Sequence, residues 1–496
     1  MRENSFELWF VRILKAMIAV AVVSAIANFL FNRSLWIDEA MISLNIINKS
    51  FLELLSPLDM KQVAPVGFLF IQKIMAIIFH DQDWSLRVLP LFSYFASIYL
   101  IYKISSFLFN NEKISLISAA IFSLNVMMIY YSTEAKQYMT DVFICLSLVY
   151  FCFKYFPFQS RKSLLGLICF GAISIWISNI AVIILFSVGI WMLFFSFDKR
   201  SVSRNKSLIV LFSWLVSFLF YYFLFIKNHP SKTDMLEYWG RLYAFMPSNL
   251  FSLEPYKFVC LKIFLIFSDI LHFKKYSIIF ILIFIAGFVS ILKKTNAGFL
   301  FLFPLVLHFL LSSQKIYPFE TRLVLYLIPL IIILLSAGIY YSYEYFCDQV
   351  TKVPILVLLI PGVLNIYSVV KKTPNQRQEI KQSLKFINDH FDGTHSIFVY
   401  DRCKASFLFY KKQYQNIEKS ASISFGMLDR KDVQKANQIA MKLKNHTWLL
   451  FANVYEGYQW SDEHYMLDLL KQNGFKIIKQ KISVGSACYE IIKTPL

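Results

Sequence analysis

Charge is what this sequence has least of. Only 16% of its 496 residues are charged, 57% are hydrophobic, and the mean hydropathy is +0.54. A soluble globule carries roughly 25% charge and about 45 to 50% apolar residues. A single water-soluble domain is therefore excluded, and the bilayer is the first solvent to consider. Other absences narrow the chemistry. The seven cysteines, Cys145, Cys152, Cys169, Cys260, Cys347, Cys403 and Cys488, show no paired metal-ligand spacing, and most sit in apolar runs as small hydrophobes. No histidine pair has His-x-x-x-His or comparable spacing, so no histidine-built metal site is expected and no divalent cation is evident. No glycine-rich phosphate loop is present, which argues against a nucleotide site. There is no internal repeat and no low-complexity segment. The apolar run 10–31 is long enough to span and lacks a small-residue cleavage pattern, so it reads as a first span and not as a removed signal.

The charge that exists is unevenly spread. Residues 371–496 hold 32 charged side chains in 126 positions, against 49 in the first 370. This divides the chain into a membrane part, 1–370, and a soluble tail, 371–496. A net charge of +19 would suggest nucleic acid in a soluble protein. Here much of the basic charge lies in short loops between apolar runs, so anionic membrane lipid is the expected partner and nucleic acid is not.

Spans are expected at 10–31, 87–109, 114–131, 138–157, 164–178, 180–197, 207–226, 277–293, 298–312, 322–345 and 353–370, about eleven in all. The loop 198–206 is the most basic short loop, and Arg2, Arg12 and Lys15 add to the same side, which places both in the cytoplasm. If 258–272 lies flat on the outer surface, the tail emerges outside; if it spans, the later loops reverse. In the preferred arrangement residues 32–86, 132–137, 227–276 and 313–321 and the tail all face outward. The tail alternates helical patterns (377–391, 431–445, 462–473) with strand-like runs (396–400, 448–452, 475–478, 489–492), a small α/β layer structure. The expected fold class is mainly α: a polytopic helical membrane domain with a small extracytoplasmic α/β domain.

Unusual polar residues collect on the outward side. Asp38 and Glu39 follow the first span; a carboxylate there usually has a paired or functional reason, and a helix N-terminus with Asp38 as N-cap is the bland reading. Lys61 precedes an apolar stretch to Phe79 that reads as an interfacial helix. Arg87 stands at the mouth of a span, where it either snorkels or forms a structural ion pair. If 132–141 is helical, Glu134, Tyr138 and Asp141 share a face and Lys136 points elsewhere. Asp141, one turn inside an apolar helix, needs a partner or a water-filled cavity. Arg322 enters a span beside Tyr317; a guanidinium there suits a phosphate, which it can clamp with two parallel hydrogen bonds, and headgroup snorkelling is the alternative.

Together Trp36-Ile37-Asp38-Glu39-Ala40, Ser85-Leu86-Arg87, Thr133-Glu134-Ala135-Lys136-Gln137-Tyr138, Tyr238-Trp239 and Tyr317-Pro318-Phe319-Glu320-Thr321-Arg322-Leu323 resemble the membrane glycosyltransferases of the GT-C fold. The nearest group is the bacterial branch related to protein O-mannosyltransferases and the aminoarabinose transferase of lipid A. The resemblance implies a multi-pass enzyme of the bacterial inner membrane. It would take a sugar from a polyprenyl-phosphate donor at the outer face and pass it, with inversion, to a glycan, lipid or protein acceptor. It makes Asp38 the general base, with Glu39 and Glu134 orienting acceptor or base. Arg322 becomes the first choice to hold the donor phosphate, with Lys136 and Lys61 behind it. Arg87, Tyr138, Asp141, Trp239 and Tyr317 are then supporting or substrate-binding residues. The metal-binding carboxylates of GT-C oligosaccharyltransferases are not evident, so no metal is carried over. A transporter or flippase of polyprenyl-linked sugars is the alternative, weakened by the lack of repeated halves.

Overall fold

The computed structural model describes residues 2–494 except 157, 159, 196–203, 294, 350–364, 421, 428–437, 440 and 453–461. Among the described residues six helical stretches are long and apolar enough to cross a membrane: Leu8–Phe31, Asp83–Phe109, Tyr138–Tyr155, Arg204–Ile226, Lys274–Leu292 and Leu325–Tyr345. The chain is a multi-pass membrane protein. Each of the six falls on an expected span. Three others are shorter: Arg161–Ile177 and Ala297–Ser313 are helices of 17 residues, and Ala181–Phe194 ends in a π-helical turn. The expected span 114–131 is broken at Leu124, because Asn125 accepts the N–H groups of Met127 and Met128 and starts a new short helix. The last expected span, 353–370, lies outside the described residues up to 364, as does most of the basic loop 198–206. Residues 254–270 form one helical stretch ending in a π turn.

Burial sorts these helices. Leu325–Tyr345 is almost wholly enclosed, whereas Arg204–Ile226 and Lys274–Leu292 expose rows of large apolar side chains such as Phe212, Phe220, Ile278 and Leu282. A fully apolar exposed surface fits hydrocarbon and not water. Ser277–Leu292 crosses the central helix at two glycines: a Cβ on Gly287 would lie 1.9 Å from the Leu334 carbonyl oxygen, and one on Gly338 2.0 Å from that of Ile283. Small residues allow this approach, the usual means of packing helices where lipid is as apolar as the side chains.

The tail builds a five-stranded sheet in the order β2-β1-β3-β5-β4, with β1 Ser396–Tyr400, β2 Ile423–Gly426, β3 His446–Ala452, β4 Phe475–Ser483 and β5 Ser486–Lys493. β1 runs parallel to β2 and β3, and β5 antiparallel to β3 and β4. Helices Ile380–His390 and Asp462–Gln472 lie on two of the three expected helical patterns; the third, 431–445, falls largely outside the described residues. The pattern missed β2 and the helix Lys404–Tyr410. Cys403 and Cys488 are both free and buried.

Candidate functional site

The site grows from the short loop between the first helix and Ile37–Asn48. Asn32 takes a left-handed turn, and the chain then runs extended to Trp36, which stands at the N-cap of the next helix. Asp38 is therefore not the cap; it is the second residue of the helix, with Glu39 beside it, and the Trp36 N–H donates to Glu39 Oε2 at 3.3 Å. This moves the cap from Asp38 to Trp36, while both acids still lie in the first helical turn and Glu39 closes back on the cap.

The two adjacent carboxylates have opposite surroundings. Glu39 is fully buried and accepts from Arg87 Nε and Nη2 at 3.1 to 3.3 Å and from the Ala135 N–H at 2.8 Å. Arg87, itself buried, donates a further bond to the Arg33 carbonyl at 2.6 Å. It is a structural ion pair and not a snorkelling cation. Asp38 is 27% exposed and accepts from Arg322 Nη1 at 2.7 Å. Arg322, 21% exposed, lies with its guanidinium 5.2 Å from the Trp239 ring centre and 5.8 Å from that of Tyr138. Burial works against its charge, but Tyr138 and Asp38 outweigh that and hold the guanidinium firmly protonated.

Residues 132–137 are turns, and the helix begins at Tyr138. Glu134, Tyr138 and Asp141 therefore do not share one helical face. The turn instead sends Glu134 and Lys136 into the same buried region. Glu134 has Arg33 Nη2 at 3.9 Å; burial and the nearby Glu39 push its carboxyl up to about 7, against the pull of Arg33. Lys136 does not point away as expected: its ammonium donates to Gln62 Oε1 at 2.8 Å and feels both Asp38 and Arg322. Burial brings it down to about 8. Asp141 finds its partner in Ser178, whose hydroxyl donates at 2.5 Å. Tyr317 packs against His308, ring centres 5.2 Å apart. Lys61 is 70% exposed and pairs with Asp234 at 3.0 Å. Asp38, Arg322, Tyr138, Trp239 and Lys136 thus gather in one place; Glu39, Arg87 and Glu134 stand behind them, Asp141 and Tyr317 border Tyr138, and Lys61, next to Gln62, is paired at the exposed edge.

Sequence reasoning missed the tail's part. Glu379 Oε2 accepts from the Ser34 N–H and hydroxyl, both 3.2 Å; Gln378 Oε1 accepts from the Ile37 N–H at 3.0 Å; the Tyr410 hydroxyl accepts from the Leu35 N–H at 2.9 Å. Arg377 lies flat on Trp36, 3.4 Å from the ring centre. Lys381 and Tyr410 both donate to Asp83. The tail closes on the loop that leads into Asp38, and only the tight polar run Arg377-Gln378-Glu379 before an amphipathic helix could have hinted at it.

Residues 63–224 match the family model for dolichyl-phosphate-mannose-protein mannosyltransferase, a stretch that includes Arg87, Glu134, Lys136 and Tyr138 and leaves out Asp38 and Arg322. The whole chain superposes on ArnT from Cupriavidus metallidurans in its apo state with a TM-score of 0.55 at 9% identity, covering 99% of this chain and 98% of that one. The chain has the fold of the GT-C membrane glycosyltransferases. ArnT bound to undecaprenyl phosphate aligns equally well, with a TM-score of 0.54, 9% identity and 98% of both chains. At such identity the likeness carries the fold alone, and the family model marks residues 63–224 as similar to mannosyltransferases. The archaeal oligosaccharyltransferase AglB from Archaeoglobus fulgidus aligns more loosely, at 9% identity and a TM-score of 0.48 over 95% of this chain and 74% of that one. No curated protein matches the chain by sequence.

Proposed function

We propose that this transferase moves a sugar from a polyprenyl-phosphate donor to a glycan, lipid or protein acceptor, with inversion and with Asp38 as general base. The observation that carries the reading is the division of the acidic pair. Glu39 is saturated with donors and sealed, while Asp38 is open, with a single guanidinium across from it. A hydroxyl is a poor nucleophile, and a carboxylate positioned to take its proton is worth about 10² to 10⁴ in rate. As the acceptor oxygen bonds to the sugar, the bond to the carrier phosphate breaks and that phosphate leaves with the electron pair. A fixed cation stabilises it. Arg322 fits that duty, because its planar fork matches a phosphate as well as a carboxylate. Lys136 stands next to it.

Inversion puts the sugar between base and leaving phosphate, as in inverting glycosidases. The 2.7 Å contact of Arg322 with Asp38 fills that space. The donor phosphate therefore competes with Asp38 for Arg322, and its arrival both frees the base and opens room for the sugar. That ArnT is held with undecaprenyl phosphate supports the carrier class. The bacterial inner membrane is what the resemblance implies, and the loop charges support the site and the tail, residues 371–496, facing outward.

The test is sugar transfer or release from a panel of labelled polyprenyl-phosphate sugars by the purified chain in lipid, comparing wild type with Asp38→Asn. Turnover of one donor, lost in the variant, is expected. Equal turnover by Asp38→Asn removes Asp38 from the base role. Saturable movement of the donor across the bilayer without transfer, in both proteins, would make the chain a carrier.

A further inference from the structure

The transferase reading leaves one polar cluster of the tail unused. His395 precedes β1, His446 opens β3 and Glu490 lies on β5. Their convergence follows from strand register. Ser396 pairs with Thr447, which sets His395 beside His446, and His446 pairs with Ile492, whose neighbour two places back, Glu490, presents its side chain on the same face. Spacing along the sequence could not reveal a site made this way.

The ligand atoms of the three side chains lie within 4.8 Å of one another. His446 Nε2 is 2.7 Å from Glu490 Oε1, and the two imidazoles lie with ring centres 3.4 Å apart. Asp392 Oδ1 is 3.2 Å from His395 Nδ1, and Lys479 Nζ 3.3 Å from Glu490 Oε2. Glu490 is buried, and neither its Oε2 nor His395 Nδ1 has a well-formed hydrogen bond. Two protonated imidazoles in this contact would repel each other; two neutral ones each offer a nitrogen lone pair beside a buried carboxylate.

We propose that His395, His446 and Glu490 bind one divalent transition-metal ion of the zinc class. Two imidazole nitrogens and a carboxylate oxygen are the donor set of a three-ligand tetrahedral site, with water as the fourth ligand. Asp392 stands beside His395 where an orienting carboxylate commonly stands in histidine sites. Lys479 acts as a competing internal cation. At 45% exposed it can swing away into water when the ion arrives. The ion would tie β3, β5 and the segment entering β1 at one end of the sheet.

The experiment uses the full chain in detergent, free of any histidine tag and stripped with chelator, titrated with Co²⁺ and followed by visible absorption, then displaced with Zn²⁺. One equivalent per chain with an intense tetrahedral band is expected. The band should be lost in His446→Ala and in the His395→Ala/His446→Ala pair, and Lys479→Ala should bind several-fold tighter. Glu490→Gln keeps the shape of the buried side chain and should weaken binding at least about tenfold. Absence of a saturable band, or a band that survives in the double histidine variant, overturns the site. None of these readouts depends on sugar transfer, so the site stands or falls separately from the proposed reaction.

Discussion

The ion pairs behind Asp38 and those in front of it use the same chemistry to opposite ends. Behind it, Glu39 and Arg87 are buried, bidentate and locked to backbone groups of the two neighbouring segments. In front, Arg322 with Asp38 and Lys61 with Asp234 are single contacts between partly exposed side chains. A buried pair adds little net stability over an apolar one, yet removing one member strands a charge. An exposed pair costs little to open. The rear wall is built to stay and the front to part, which suits a site that must admit a charged lipid.

The comparison breaks most visibly at the rear. Arg87→Ala should cost about 3 to 5 kcal/mol of folding stability because it leaves Glu39 buried without its partner; thermal unfolding in detergent measures it. An effect no larger than that of an exposed pair would mean that water reaches Glu39. Next comes the tail's grip: Glu379→Ala leaves the Ser34 donors unpaired and should cost about 1 to 3 kcal/mol, read in the same assay, with a lower turnover at unchanged donor KM.

The charge around Asp38 gives a subtler test. Between about pH 6 and 9 Glu134, near 7, becomes a carboxylate and Lys136, near 8, becomes a neutral amine. Glu134 thereby adds a negative charge and Lys136 loses a positive one near Arg322, so donor KM should rise several-fold across that range. Glu134→Gln should abolish the lower part of the rise and Lys136→Arg the upper; a flat profile in the wild type would discount both groups. Smallest of all is Lys61→Ala. An exposed pair is worth about 0 to 1 kcal/mol, so neither unfolding nor donor KM should move much. A KM loss as large as that of Arg322→Ala would bring Lys61 into the phosphate site after all.

Much of the fold was readable because membrane helices and strands write their periods into hydropathy. The strand Ser396–Tyr400 was found residue for residue, and the six long helices fall on expected spans. What failed was local geometry set by distant partners. Glu134, Tyr138 and Asp141 were placed on one face by assuming a helix through 132–141, but 132–137 are turns in which the backbone N–H of Ala135 is claimed by Glu39, 96 residues away. The placement of Asp38 at the cap failed similarly, since the chain enters that helix two residues earlier, at Trp36. Asp38 and Arg322 were each singled out, yet nothing local could tell that 284 residues of chain separate two hydrogen-bonded groups. Cross-strand neighbours such as His395 and His446 are invisible to any spacing rule.

The clasp of the tail on the Ser34–Ile37 loop also fixes an order of events. Ser34 and Glu379 are 345 residues apart, and Leu35 and Tyr410 are 375. Helices of the membrane part can form and insert as they emerge from the ribosome, but the loop leading into Asp38 lacks its fastenings until nearly the whole chain has been made. Contacts of such separation form late. A ribosome that stalls before the tail releases a membrane protein with its charges unclasped, so the first loop synthesised is the last to become competent.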